Sequence, residues 1–402
     1  MAYLLGLDIS TTGAKALLID ARGRVVASAT TEYRLSTPRP LWSEQSPADW
    51  WQGACASITA ALKQAGLSGD DVSGVGLTGQ MHGLVLMDKG GQVLRPAILW
   101  NDQRTGPQCA EITDRVGGLG RLLELTGNPV LPGFTAPKIL WVQQNEPTVY
   151  ERVAHILLPK DYVRYCLTGE YATEVSDASG TSLLDVARRR WSEAMLDAVE
   201  VRAEWLPRCE ESPVVSGAIS PAAAQATGLR PGTPVVGGGG DQAAQAIGTG
   251  VVRPGMISVT SGTSGVIFAY SEAFAPEPQG RLHAFCHAVP GKWHVLPYQT
   301  TRSVDDTDLS CDATIAGVGA AKVRSAIIRL SIRTEEAVGG LNYAAFDSND
   351  LDPFTDLTRS VRLTIRPMPD IDEALTMKPA ARLKTLVTEV ALSNVAARSD
   401  ML

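Results

Sequence analysis

Apolar positions fall in short runs divided by small polar turns, and their spacing changes from two to nearly four along the chain. Tyr3 to Leu7 predicts a strand, Ser10 to Gly13 a tight turn, and Ala16 to Ile19 a second strand that resumes beyond Ala21-Arg22-Gly23 at Val25 to Ala29. Trp50, Ala54, Ile58, Ala61 and Leu62 then recur at helical spacing, with Ser46 as the predicted N-cap and Pro47 in the first helical position. Val72 to Thr78 and Ala97 to Trp100 predict further strands, each ending in a polar cluster. Thr135 to Gln144, Lys160 to Leu167, Trp191 to Val199 and Pro221 to Thr227 predict helices. Val235 and Val236 end a buried strand, Gly237 to Gly240 follow, and Gln242 to Ile247 predicts a helix of small residues. Strands alternating with helices predict an α/β fold.

Composition narrows the class. A chain of 402 residues, 44% hydrophobic and 20% charged, is long enough for two domains. A net charge of -7 argues against nucleic acid or an anionic membrane as partner. The six cysteines form no CxxC pair, so reduced thiols in a cytoplasmic protein are expected. No apolar run approaches the ~20 residues that span a bilayer.

The candidate chemistry sits where apolar runs end. Asp241, after four glycines at a strand-to-helix junction, is placed to take a proton from a bound hydroxyl, although an Asp there also serves simply as a helix N-cap. Ser10, Thr11, Thr12 and Gly13 can offer hydroxyls and N–H groups to phosphate oxygens, with Lys15 adding charge and Asp8 holding a hydrated magnesium ion. The loop Ser261-Gly262-Thr263-Ser264-Gly265 repeats this strand, turn, strand pattern, as expected of two related domains facing one nucleotide. Gly79-Gln80-Met81-His82-Gly83 closes a strand like the edge of a ligand site, and His82 reads equally as a structural histidine. Trp100, Asn101, Asp102 and Arg104 can stack on and hydrogen-bond a polyol, or form a surface ion pair. Ser176 to Thr181 is a small polar loop.

These motifs in this order resemble the FGGY carbohydrate kinases from about Tyr3 to His294: LGLDIST at Leu5 to Thr11, LWSEQSPADWW at Leu41 to Trp51, GQMHG at Gly79 to Gly83 and AILWNDQR at Ala97 to Arg104, followed by PGFTAPKILWV at Pro132 to Val142, LLPKDYVR at Leu157 to Arg164, GGGGDQAA at Gly237 to Ala244 and SGTSGV at Ser261 to Val266. The resemblance implies the actin-like, ribonuclease-H-like fold, with two α/β domains closing on ATP and a sugar. It implies γ-phosphoryl transfer to D-xylulose or a related pentulose, ATP and Mg2+ as cofactors, and leaves a homodimer open. It assigns Met81 and His82 to the sugar-binding pair, Asp241 as proton acceptor and Asp8 as the magnesium-side carboxylate; the expected site adds Trp100, Asn101, Asp102, Asp241 and Gln242 to the sugar, Asp241 to the metal, and Ser10, Thr11, Thr12, Gly13, Lys15, Gly262, Thr263 and Ser264 to the nucleotide. The domain expectation is 1–247 for sugar binding, 248–294 for the start of nucleotide binding, and 295–402 as a divergent tail.

That tail departs from the family. All eight tryptophans lie at or before Trp293, and no glycine follows Gly340 although the chain holds 38. A frameshifted or fused gene end is the expectation, with the second domain truncated or replaced and its adenosine-binding half missing. Val361, Leu363 and Ile365 still alternate as in a strand, and Leu383, Leu386, Val387 and Val390 keep helical spacing. A sugar kinase, an inactive sugar-binding remnant, a kinase for another pentulose or polyol, and a protein whose tail binds a partner are the readings that follow.

Overall fold

A computed structural model describes residues 2–261, 265–297, 327–330 and 361–364. Its central sheet begins with an antiparallel meander, β1 (Tyr3–Ile9), β2 (Gly13–Asp20) and β3 (Val25–Glu32). Leu5, Leu7 and Ile9 alternate inward on β1 and are almost wholly buried, which is how a period of two fixes the face of a strand. The helix α1 (Pro47–Ala65) buries Trp50, Ala54, Ile58, Ala61 and Leu62 across β2 and β3. Ser46 stands at its N-cap in extended backbone, but its hydroxyl makes no cap bond, so Pro47 in the first turn carries that end instead.

From α1 the chain crosses over to β4 (Val72–Gly79), which lies parallel to β1. Much later, β5 (Pro234–Val236) adds parallel to β4, and Val215–Ala218 closes that edge antiparallel. The resulting order, β3-β2-β1-β4-β5, is a three-stranded meander followed by parallel crossover strands, the mixed topology expected of a ribonuclease-H-like domain. The helices α2 (Thr135–Asn145) and α3 (Pro159–Thr168) match the predicted segments closely. Trp191 does not open a helix. It pairs with Leu184 in a two-residue strand, and the helix runs Glu193–Val199. The predicted run Ala97 to Trp100 is a strand only over Ala97–Ile98.

Two compact units divide the chain. One comprises residues 1–254 and 268–297, the other 255–267 and 298–402. In the first, Leu282–Cys286 and Trp293–Pro297 pair antiparallel, and Asn128 fixes that hairpin by accepting from the Ala284 N–H at 3.0 Å and donating to its carbonyl at 2.9 Å. Within the second, Ile327–Leu330 pairs antiparallel with Val361–Thr364, in agreement with the alternation of Val361 and Leu363. The helix expected around Leu383 to Val390 lies outside the described residues. No described helix is long and apolar enough to cross a membrane.

Candidate active site

The parallel strands bring their C-terminal ends together. Asp8 on β1 pairs in register with Thr78 on β4 and, on its other side, with Lys15 on β2. Thr78 in turn pairs with Gly239 in the two-residue strand Gly239–Gly240, directly before Asp241. Register partners project to one face, so Lys15, Asp8 and Thr78 form a row that ends beside the Asp241 turn. A Cβ on Gly240 would stand 3.0 Å from the sulfur of Met81, and only glycine lets that thioether pack against the turn. Asp241 opens the helix Asp241–Gly248 and accepts from the Gln242 N–H at 2.7 Å.

Electrostatics mark the two carboxylates. Burial pushes the Asp241 carboxyl up to about 7, the charge of Asp8 pushes the same way, and the Gln242 backbone and side-chain bonds resist. Asp8 is also raised, chiefly by burial, with Lys15 opposing. The Thr78 hydroxyl is buried among them without a hydrogen-bond partner. Two carboxylates raised by burial, one of them also by the other's charge, and an unspent hydroxyl are an oxygen donor set that suits a hard divalent cation.

The turn between β1 and β2 differs from its expected use. The Ser10 hydroxyl bonds the Gly13 carbonyl at 2.9 Å and accepts from the Thr12 and Gly13 N–H groups, so it serves the turn and is not free for phosphate. Thr11 receives the Trp100 indole N–H at 3.0 Å and donates to Gln80 at 3.2 Å. Thr12 and Lys15 remain exposed. Gly262, Thr263 and Ser264 lie outside the described residues.

Sugar-side candidates separate into two groups. Met81 and His82 lie at the end of β4, next to Gly240 and Gly180. His82 adopts φ 68°, stacks on Phe134 at 4.6 Å, and holds the Gly180 carbonyl with Nδ1 at 2.7 Å. A carbonyl can only accept, so Nδ1 carries the proton and Nε2 presents a lone pair. Burial depresses the imidazole to about 3 and keeps it neutral, with Lys138 acting in the same direction. Asp102, by contrast, is fully buried and bound to the Ser43 N–H at 2.7 Å and to Arg104 at 2.6 Å, so it anchors its own loop and is not free for a polyol. The Asn101 side-chain oxygen Oδ1 is buried without a hydrogen-bond partner.

The profile of the FGGY family of carbohydrate kinases, N-terminal domain, matches residues 3–248. The chain belongs to the FGGY carbohydrate kinases. It is 45% identical over 292 residues to the xylulose kinase of Escherichia coli (strain K12), covering 73% of this chain and 59% of that protein. Identity to the xylulose kinase of Bacillus subtilis (strain 168) is 40% over 296 residues, covering 74% and 59%. The crystal structure of xylulose kinase from Rhodospirillum rubrum superposes with a TM-score of 0.70 at 33% identity, covering 73% of this chain and 60% of that one. The chain thus spans about three fifths of the length of the curated relatives it matches. With the sheet order above, these matches give it the actin-like fold of FGGY kinases over that part.

This FGGY chain also holds a buried charge cluster that its sequence pattern did not reveal as such. The Lys160 ammonium lies 2.8 Å from Asp161, 3.1 Å from Asp177 and 3.4 Å from Glu174, all fully buried, and Arg164 reaches Asp161 at 3.1 Å. Arg164 also donates to the Gly237 carbonyl, and the Ser176 hydroxyl accepts from the Gly240 N–H at 3.1 Å, so both ends of the glycine run before Asp241 are held from this cluster. The segment Ser176 to Thr181, expected as a polar loop, is a buried helical turn capped by Glu174, which accepts from the Ser176 and Asp177 N–H groups. The apolar flanks of Lys160 and Asp161 in LLPKDYVR were the available signal.

Proposed function

We propose that the chain carries the sugar-binding domain of an ATP-dependent pentulose kinase that converts D-xylulose to D-xylulose 5-phosphate. The observation that carries this is Asp241, a carboxylate tuned to about 7 at the end of the parallel strands beside Asp8. Such a group is matched to accept a proton near neutral pH. The C5 hydroxyl oxygen attacks the γ-phosphorus, the bond to the ADP oxygen breaks, and the hydroxyl proton passes to Asp241. Asp8 and Asp241, with the Thr78 hydroxyl, would hold magnesium, which when bound neutralises phosphate charge. His82 Nε2 accepts from a sugar hydroxyl while Met81 packs against the carbon chain. Thr12 and Lys15, both exposed, face the nucleotide phosphates.

The division proposed with it is 1–247 for the sugar domain and 248–294 for the beginning of the nucleotide domain. The relatives named xylulose kinase support D-xylulose as the sugar. A coupled ADP-release assay with ATP, magnesium and a panel of pentuloses tests the reading. Release that depends on D-xylulose is expected. D-xylulose binding by titration without any release would leave a sugar-binding protein and remove the kinase.

A further inference from the structure

Lys138 is fully buried on α2, at a position where Leu or Met would fill the space without dehydrating a charge. Its ammonium group donates to two backbone carbonyls, Gly133 at 2.6 Å and His82 at 2.9 Å. The Thr135 hydroxyl donates to the same His82 carbonyl at 3.1 Å. Phe134 stacks on the His82 imidazole at an interplanar angle of 14°. Three residues at the start of one helix therefore grip both the backbone and the ring of a residue whose φ of 68° is unfavourable for any side chain but glycine. Burial lowers the Lys138 amine to about 7, a cost that an apolar side chain in this place would not carry, and in its charged form it is a stronger donor than a neutral group.

We propose that Lys138 is a positioning residue for the pentulose: by clamping the His82 carbonyl it fixes the left-handed turn that directs Nε2 toward the sugar. This rests on the reading of His82 as a sugar contact. Lys138 touches the sugar through His82 and not itself, so its effect on binding should vanish once the imidazole is gone. A purely structural lysine would show no such dependence.

The test is isothermal titration of D-xylulose into the full chain and into Lys138→Met, Thr135→Val, His82→Ala and the Lys138→Met/His82→Ala pair, each with its thermal unfolding curve. His82→Ala is expected to weaken binding about tenfold, the worth of one buried hydrogen bond. Lys138→Met should weaken it by about the same factor, and the double variant should bind no worse than His82→Ala, the non-additivity expected of residues acting as one unit. If Lys138→Met does not fold, Thr135→Val carries the test, with a loss of about threefold expected from removing the weaker donor. Parent-like affinity in both folded variants overturns the positioning role, as does a Lys138→Met loss that adds in full to that of His82→Ala. Parent-like affinity in His82→Ala itself overturns the sugar-contact reading beneath it, and the two failures are thereby distinct.

Discussion

Trp100 donates its indole N–H to the Thr11 hydroxyl at 3.0 Å, and that bond joins the turn after β1 to the loop carrying Asn101 and Asp102. Thr11 passes the connection to Gln80, whose amide donates to Gln45 at 3.1 Å, and Gln45 in turn accepts from the buried Trp50 at 3.0 Å. Two hydroxyls of the turn, those of Ser10 and Thr11, are therefore spent within the domain. Thr11→Val keeps the shape and removes both bonds. Chemical denaturation should show a loss of about 1–3 kcal/mol, because two buried partners are left unsatisfied. Unchanged stability would mean that Trp100 and Gln80 find other partners.

Asp241→Asn keeps size and one acceptor but cannot take a proton. Phosphoryl transfer should fall about 10²–10⁴-fold while D-xylulose affinity stays near that of the parent. In the parent, kcat should rise with pH through about 7 as the carboxyl ionises. Retained turnover in the variant removes Asp241 as the base.

The same shift has a consequence for stability. The folded carboxyl binds its proton more tightly than the unfolded one, from a usual value of 3.8 to about 7, so the fold loses stability as pH rises between those values. Asp241→Asn removes that penalty. The variant should be more stable than the parent at pH 8 by urea unfolding, and the gap should close by pH 4, where both forms are neutral. An equal gap at both pH values would show that ionisation of Asp241 is not its cause.

A Cβ on Gly180 would stand 2.3 Å from two atoms of the His82 ring, too close for any rotamer to relieve without displacing the imidazole or the Gly180 backbone. Gly180→Ala should therefore weaken D-xylulose binding by about tenfold or more, since His82 also loses its Nδ1 bond to the Gly180 carbonyl. Titration of the purified variant checks it, with circular dichroism as the control for folding.

Periodicity carried most of the first domain. The alternation of β1 and the helical spacing of α1 each answer to one buried face, and a buried face is visible in a linear pattern. What a side-chain oxygen bonds is not. The Thr11 and Trp100 partnership spans 89 positions, and Ser10 turned out to satisfy its own turn, so hydroxyls that read as phosphate donors were already committed. Asp102 read as a polyol contact for the same reason, since a carboxylate beside Arg looks alike whether the pair is buried or exposed. Asp241 and His82 were legible as residues, yet the burial that tunes the one and the lysine that clamps the other are tertiary facts.

The charge cluster behind Asp241 yields the sharpest contrast between two substitutions. Lys160 faces Asp161, Asp177 and Glu174, and although burial opposes its charge the three carboxylates hold it above the ordinary lysine value. Asp177 is raised too, up to about 8, chiefly by burial, with Lys160 opposing and the neighbouring carboxylates adding, which holds its carboxyl toward the neutral form near pH 7. Lys160→Met deletes the centre of this arrangement and strands buried carboxylates, and urea unfolding at pH 7 should show a loss of about 3–5 kcal/mol. Asp177→Asn replaces a carboxyl that is already protonated by an amide of the same shape, and its loss should stay below about 1 kcal/mol at pH 7. The folded Asp177 carboxyl binds its proton more tightly than the unfolded one, so the parent loses stability as pH rises from about 4 to about 8, whereas the Asp177→Asn variant does not, and the variant should gain on the parent across that window and level off above it. Equal losses for the two substitutions at pH 7, or a stability difference between variant and parent that does not change from pH 4 to pH 8, would show that Asp177 is ionised in the fold.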